Sequence, residues 1–530
     1  MTCVKILPVL RCIPASAAEE MLDRERDSLK NGPAGHGRIL RGKRILKTSH
    51  VRTATFGGMV PEWLRPSSTQ RAFLCAAALL ALPAAAFAPD AAARGLRDVL
   101  ATTYLTSPRL DGSFRQLRAV EENIAIACGG YRPSLIVQGT SGYTDFSFEQ
   151  GQQDRSDNLQ TSEISLSLEQ NIYRGGRTEA TVRSARHQTE REKAVFDFTA
   201  SDLLFDGVTV YANLLRDQKV LDAAGGNVTR LEEQLVATGK RRRVGEATRT
   251  DSSQAEARLA QARADLAQAQ ANYQGSVADF RAVVGEAPVD LEAVEPTVPA
   301  ETLERALELV DNNYEVVAAI AQVARADADI DASTADLLPR LDAVAALEYS
   351  DDPTVLIDRQ RDARVQLQLR VPLYQGGGEH AAVRQSKQVR IQRRNQLENL
   401  RRDVTDRITR GFRQWQAAEW RVQQLTLQVE ANRAALDGVE REVVGGTRLI
   451  LDELDAQQEL FNSQVALESA LRDRVVNAYS VLAETGQLTP QALNLEGTGD
   501  DMRGRIMAAT NCRILDIGTG IGESENPESR

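Results

Sequence analysis

The chain of 530 residues is poor in several residue types that most globular enzymes use. Five cysteines are too few for a disulfide scaffold, and the four histidines, at positions 36, 50, 187 and 380, form no cluster with metal-ligand spacing. Aromatic residues make up only 5% of the chain, which leaves few large side chains for a bulky core. A net charge of −10 argues against a nucleic-acid partner. We therefore expect a protein that is not an enzyme, has no cofactor or metal, and is built from long helices.

Long hydrophobic runs are also scarce, and only Phe73–Ala88 could enter a bilayer as a helix. Its 16 residues are fewer than the ~20 that a spanning helix needs. Basic residues precede this run and Ala86-Phe87-Ala88 ends it, a pattern typical of a secretory signal peptide. Because a start at Met59 would give a signal of normal length, we predict a signal peptide over residues 59–88 and an over-extended or disordered N-terminus over residues 1–58.

An internal repeat covers most of the remaining chain. Tyr173-Arg-Gly-Gly176 corresponds to Tyr374-Gln-Gly-Gly377, and Val244–Asp251 corresponds to Gly445–Asp452, both 201 residues apart. Two further pairs of motifs keep the same order, with offsets of 206 and 207 residues. The chain is therefore predicted to contain two copies of one unit. The expected divisions are a first repeat over residues 89–300, a second over residues 301–490, and a disordered tail over residues 491–530.

Each unit is predicted to hold a helical stretch followed by a β-hairpin. Apolar and polar residues alternate over residues 164–172 and 365–373, which is typical of a strand with one apolar and one polar face. Weaker alternation precedes each of these segments. The polar segments 150–161 and 350–362 are expected to form the hairpin loops. The chain should therefore contain four strands.

Long helices are expected after each hairpin. Residues 177–239 and 379–444 contain no proline and follow the two Gly-Gly motifs. After a glycine-containing break, each helix is predicted to return as a second one, over residues 251–283 and 449–484. Alanine occupies nearly every contact position of the first return helix, which permits close and shallow helix packing over a long distance.

Four strands per chain pose a problem if the sheet lies in a membrane. They cannot close a barrel, and an open edge in lipid would leave backbone groups without hydrogen-bond partners. Closure would need several chains. A soluble protein with β-hairpins and coiled coils is the alternative interpretation, and the signal peptide, the repeat and the long helices together argue against it.

The repeated unit and its turn motifs resemble the TolC family of outer-membrane channel proteins. The resemblance rests on YRGG at 173–176 and VPLYQGG at 371–377, which end the strands. It also rests on VGEATRTDSSQAEARLAQA at 244–262 and GTRLILDELDAQQELFNSQ at 446–464, and it covers residues 95–495.

This resemblance implies a mainly α-helical fold with membrane β-structure. Three identical chains would contribute four strands each to a twelve-stranded barrel in the outer membrane, continued by a long periplasmic α-helical barrel. The implied function is the exit duct of a tripartite efflux or type I secretion system. Its implied partners are a periplasmic adaptor (membrane fusion) protein, an inner-membrane pump or ABC transporter, and outer-membrane lipid, with no nucleic acid.

Two aspartates match the periplasmic entrance of this family. Asp452 and Asp455 stand three residues apart, hence on one face of a helix. In a trimer they would form two stacked rings of three carboxylates, which favour and bind cations. The alternative is that an acidic residue near a helix start merely complements the helix dipole.

A gate latch is implied at the same turns. Arg448 matches the gate arginine of the family, and its partners would be Thr250 and Asp251 in the equivalent turn of the first repeat. An arginine can hold two helical hairpins together through charge-assisted bonds to a carboxylate and a hydroxyl. The chain departs from the family pattern in carrying Val443 where a gate tyrosine would lie. A solvated surface charge is the alternative for Arg448.

Glycines mark the predicted turns. Gly245 and Gly446 are expected to supply the tight turns of the two helical hairpins. Four more are expected at the transitions from strand to helix: Gly175, Gly176, Gly376 and Gly377.

Two other functional classes are weighed against the channel. A periplasmic adaptor carries a single coiled-coil hairpin, whereas this chain repeats its hairpin. Leu515–Gly522 looks like the glycine loop of a nucleotide- or methyl-donor-binding enzyme, but too few residues follow it to complete such a domain. The basic run Lys240–Arg243 is expected to be solvated at a helix C-terminus, with an adaptor contact as the alternative.

Overall fold

The computed structural model describes residues 94–150, 153–354 and 357–495. The regions outside the described residues include the predicted N-terminal segment 1–58, the signal peptide 59–88, the glycine motif 515–522 and residues 496–530 of the tail.

The first repeat begins with two helices that lead into a hairpin. Ser107 accepts a hydrogen bond from the Leu110 backbone N–H and thereby caps the second helix, whose first residue is Pro108. The elements in chain order are α1 (Leu96–Thr106), α2 (Pro108–Cys128), β1 (Ser134–Gln150), β2 (Gln153–Arg174), α3 (Arg177–Arg243) and α4 (Arg249–Val284).

The second repeat follows the same order and confirms the predicted duplication. Its long helix and that of the first repeat both have 67 residues, which corresponds to about 100 Å of helix. The return helices have 36 and 35 residues. The elements are α5 (Leu303–Leu307), α6 (Tyr314–Ala335), β3 (Arg340–Thr354), β4 (Ile357–Arg370), α7 (Gly378–Val444) and α8 (Ile450–Glu484).

The four strands form one antiparallel sheet in the order β1-β2-β3-β4, so β2 and β3 join the two repeats. Within the described residues, β1 and β4 each leave one edge unpaired. The expected loops over residues 150–161 and 350–362 are mostly strand instead, because β1 and β2 pair as far as Gln150 and Gln153. Their polar side chains show no strand pattern in the sequence. The strands pair through backbone hydrogen bonds, which any residue but proline can donate.

One face of the sheet is apolar and exposed. Residues directly opposite each other on antiparallel strands share a face, and Leu166 lies opposite Leu347, which lies opposite Ala363. The large apolar side chains exposed on this face are Leu135, Val137, Tyr143, Ile164, Leu168, Leu347, Tyr349, Val365, Leu367 and Leu369. The opposite face carries the alternating polar residues.

The largest buried cluster lies where α1, α2, α3, α4 and the end of α8 meet. Tyr211 is fully buried there, and its hydroxyl donates to the backbone oxygens of Arg94 at 3.1 Å and Glu292 at 2.8 Å. A second cluster around Ile408 and Phe412 joins α5, α6, α7 and α8. None of the helices in the described part of the chain is long and apolar enough to cross a membrane.

Candidate functional site at the hairpin turns

Both long helices end in the same way. Gly245 and Gly446 adopt positive φ values of 84° and 74°. At the first turn, Gly245 N–H donates to Arg242 O and Glu246 N–H donates to Arg241 O, at 3.2 and 2.9 Å. The second turn repeats this pair of bonds around Gly446. These are Schellman motifs, in which a left-handed residue lets the chain leave the helix while the last carbonyls stay satisfied.

The first return helix starts with a capping box. Thr248 Oγ1 accepts from the Asp251 N–H at 3.2 Å, and an Asp251 carboxylate oxygen accepts from the Thr248 N–H at 2.8 Å. Asp251 is therefore bonded within its own hairpin, while Thr250 beside it is exposed.

Arg448 likewise pairs within its own hairpin. Its Nε lies 3.0 Å from a carboxylate oxygen of Glu442, and both side chains are about half exposed. Among the described residues, the structure does not bring Arg448 into contact with Thr250 or Asp251. Within the described part of one chain, Arg448 and Asp251 each bond inside their own turn.

The two aspartates of the second turn differ in their surroundings. Asp452 lies in the first turn of α8, is partly exposed, and forms no ion pair within the part of the chain described. Asp455 is exposed but lies 2.6 Å from the Arg258 guanidinium of α4. Asp455 therefore shares its charge with Arg258, whereas the charge of Asp452 is not offset by an ion pair within the described residues.

Glu453 lies between these two aspartates and was not predicted to matter. Its side chain is 7% exposed and accepts a 2.8 Å hydrogen bond from Gln234 Nε2 of α3. The signal that could have found it is the helical spacing of the buried stripe, since Ile450, Glu453, Leu454 and Gln457 recur every three or four residues.

Burial raises the pKa of the Glu453 carboxyl, and the nearby Glu440 carboxylate raises it further. The hydrogen bond from Gln234 and the charge of Arg241 act in the opposite direction and are smaller. Because the folded-state pKa is raised, the stability that this group contributes is fully present at low pH. It is lost as the pH rises through the folded-state pKa.

Replacing Glu453 by Gln should raise the melting temperature by a few degrees at neutral pH. The amide keeps the shape of the side chain and can accept from Gln234, but it carries no charge to bury. The gain in melting temperature should vanish at low pH, because the Glu453 carboxyl of the wild type is then protonated and uncharged. Far-UV circular dichroism of the purified protein on heating measures this.

The control is Glu459→Gln, an exposed carboxyl on the same helix, which should change neither the melting temperature nor its pH dependence. A melting temperature of Glu453→Gln equal to or below that of the wild type at neutral pH would contradict the assignment.

The four glycines that precede the two long helices all have positive φ. Gly175 and Gly176 have values of 61° and 83° and precede α3, while Gly376 and Gly377 have values of 70° and 82° and precede α7. The space around the missing Cβ differs between these glycines. A Cβ on Gly175 would lie 2.7 Å from Leu338 Cβ, whereas one on Gly376 would have no neighbour within 4 Å.

Charged side chains are the main feature of the hairpin turns. No group of three or more His, Cys, Asp or Glu side chains suited to a metal ion occurs within residues 94–150, 153–354 and 357–495. What the turns present is a set of carboxylates and arginines at the tips of two packed helical hairpins. Such groups can attract ions and hold helices together.

Comparison with known proteins matches both repeats to the same family. The family model described as "Outer membrane efflux protein" matches residues 105–286 and again residues 306–487. The outer membrane efflux protein BepC of Brucella suis is 29% identical, over 80% of this chain and 92% of that protein. The alkaline protease secretion protein AprF of Pseudomonas aeruginosa is 24% identical, over 80% of this chain and 92% of its own.

A solved structure has the same fold. The CmeC outer membrane channel of Campylobacter jejuni superposes with a TM-score of 0.66 at 12% identity, covering 80% of this chain and 90% of that one.

Proposed function

This chain belongs to the outer membrane efflux protein family, and we propose that three copies of it close into one channel. The protein is an outer-membrane channel component of a tripartite efflux or type I secretion system.

The observation that carries the trimer is the open sheet with an exposed apolar face. Two unpaired edges and a row of exposed leucine, valine and tyrosine side chains suit neither water nor lipid in a single chain. Joining β4 of one copy to β1 of the next satisfies both edges. Four strands from each of three copies would make twelve, with the apolar face towards lipid and the polar face lining a lumen.

The helices would continue the lumen into the periplasm. The hairpins formed by α3 with α4 and by α7 with α8 would form the wall of an α-helical barrel. Their turns would lie at the end of this barrel that is farthest from the sheet. The basic run Lys240–Arg243 ends α3 at these turns, where it would be solvated. A periplasmic adaptor would dock at the same end and link the channel to an inner-membrane pump or ABC transporter.

Asp452 and Asp455 would narrow the entrance as two rings of carboxylates. Support comes from their place at the start of α8 and from their exposure, which is partial for Asp452 and about half for Asp455. Arg258 neutralises part of the charge of Asp455. The Asp452 ring is therefore proposed as the stronger cation site.

The latch is proposed between neighbouring copies rather than within one. Arg448 is half exposed, and Asp251 and Thr250 lie on the equivalent turn of the other hairpin, which would face the next copy in a ring. The bond from Arg448 to Glu442 joins two surface side chains and is worth little, so Arg448 can exchange partners easily.

The divisions of the chain complete the proposal. Residues 59–88 would direct export and be removed, after which residues 89–300 and 301–490 would form the two repeats. Residues 1–58 would be absent from the mature protein. Residues 491–530 would be the C-terminal tail, whose first residues pack on the channel through Leu495, buried in the largest apolar cluster.

One set of measurements tests assembly and latch together. The purified protein should migrate as a heat-resistant trimer on a gel and conduct ions in a planar bilayer. Arg448→Ala should increase the conductance about two- to threefold, since one latch bond would be lost at each of three sites.

The matched control is Arg441→Ala, which removes an exposed arginine that pairs with Asp437 on the same helix. It should leave the conductance unchanged. A monomer that does not conduct would refute the channel, while equal conductance of Arg448→Ala and wild type would refute only the latch.

A further inference from the structure

Three arginines lie side by side where the sheet meets the helices. Arg174 at the end of β2 is directly opposite Arg340 at the start of β3, and Arg340 is directly opposite Arg370 at the end of β4. The three form a row across three adjacent strands, here called the arginine row.

The arginine row is on the polar face of the sheet. The next pair along β3 and β4, Leu341 with Leu369, belongs to the exposed apolar face. Side chains alternate between faces along a strand, so Arg340 and Arg370 point to the opposite side. An irregularity between Asn171 and Tyr173 shifts the register of β2 and brings Arg174 into line with them.

A cavity of about 500 Å³ opens beside the arginine row. Arg177, at the start of α3, adds a fourth guanidinium to its wall, and Asp336 and Glu379 are its two carboxylates. Four arginines against two acids leave a surplus of two positive charges in the lining.

Asp342, which lies behind the lining, reduces this surplus to one positive charge. Asp336 pairs with Arg177, and the buried Asp342 lies 3.3 Å from the Nε of Arg340. Among the described residues, Arg174 and Arg370 have no carboxylate within ion-pair distance. The Nε of Arg174 is buried without a hydrogen-bond partner.

Like charges directly opposite each other destabilise a sheet. Local arrangements that work against stability in this way are expected at functional positions. An anion placed among the guanidinium groups would turn the repulsion into attraction. Guanidinium groups bind phosphate, sulfate and carboxylate oxygens in pairs, which makes multiply charged anions of these types the fitting ligands.

We propose that the arginine row is a binding site for soluble, multiply charged anions passing through the lumen. The proposal rests on the trimer described above, in which three rows would form a ring of nine arginines at the base of the barrel. The channel would then carry opposite charges at its two ends. Aspartates would lie at the hairpin turns, and arginines at the junction of helix and strand.

Inorganic tripolyphosphate is the probe for this site. Added on the barrel side of the purified full chain in a planar bilayer, it should block the current in a voltage-dependent way. The double variant Arg174→Gln, Arg370→Gln should need about tenfold more tripolyphosphate for the same block, because charge-assisted bonds are lost in every copy. Arg340 is left in place so that the buried Asp342 keeps its partner.

The matched control is Arg364→Gln. Arg364 lies on the same strand and the same face, but its guanidinium already has Glu348 and Asp362 within 3.9 and 3.7 Å. For this variant, the tripolyphosphate concentration that gives half block should rise less than about twofold, since Glu348 and Asp362 already balance the charge of Arg364. Trimer migration on a gel verifies that each variant assembles.

Titration calorimetry in detergent separates this proposal from the channel itself, because it needs no current. Binding of tripolyphosphate to wild type and its loss in the double variant would support the arginine row, whether or not the protein conducts. Absent binding, or equal binding by wild type and the double variant, would overturn it. Failure of the wild type to conduct would instead count against the channel.

Discussion

Replacing Asp452 by Asn is expected to weaken the block of the channel by a trivalent lanthanide cation about tenfold or more. The same change at Asp455 should weaken it only about two- to threefold. Both substitutions remove one negative charge per copy. They differ because Arg258, 2.6 Å from Asp455, offsets part of the charge of that carboxylate, whereas Asp452 has no ion-pair partner in the described chain.

Current through single channels in a planar bilayer, with the cation added at the helical end, gives the concentration for half block. Arg258→Gln provides the reverse test, since it frees the Asp455 carboxylate and should strengthen the block. Equal losses for the two Asn variants would show that the ion pair with Arg258 does not form in the assembled channel. No loss for either would remove both aspartates from the entrance.

Replacing Gly175 by Ala is expected to prevent most of the protein from assembling. A left-handed backbone disfavours alanine by about 1–2 kcal/mol. The new Cβ would also lie 2.9 Å from the Ala335 backbone oxygen and 2.7 Å from Leu338 Cβ. Overpacking of this kind adds about 1–3 kcal/mol. The overlap involves backbone, so it cannot be relieved by turning a side chain.

Gly376→Ala is the matched control, because Gly376 occupies the equivalent turn of the second repeat. It has a similar φ of 70° and open space around the missing Cβ. Only the backbone term applies there, so this variant should assemble with a slightly lower melting temperature. Yield of heat-resistant trimer and thermal unfolding compare the two. Equal behaviour of both variants would mean that the contact with Ala335 and Leu338 relaxes without loss.

The sequence was most informative about the long helices. The absence of proline over residues 177–239 and 379–444 and the glycines that follow predicted two helical hairpins, whose observed helices differ from those bounds by a few residues. Strand ends were harder to predict. Residues 150–161 are polar on both faces, so no alternation distinguishes a ladder from a loop, and their pairing depends on the partner strand.

The candidate site was predictable only in part, for a related reason. Asp452 and Asp455 stand out through their helical spacing and their match to a family motif. Their surroundings do not, because Arg258 lies 197 residues from Asp455 and Gln234 lies 219 residues from Glu453. These contacts join one repeat to the other. Such pairing is set by packing between hairpins, which local patterns do not encode.

The equal length of the two long helices restricts how this protein can change over time. Both have 67 residues, and the ion pair between Arg258 and Asp455 joins the two return helices near the hairpin tips. An insertion of two helical turns in only one of them would shift its tip by about 11 Å relative to the other. The ion pair between Asp455 and Arg258 would then break, and one hairpin turn would extend beyond the other. Insertions and deletions in these helices should therefore survive only in pairs, one in each repeat.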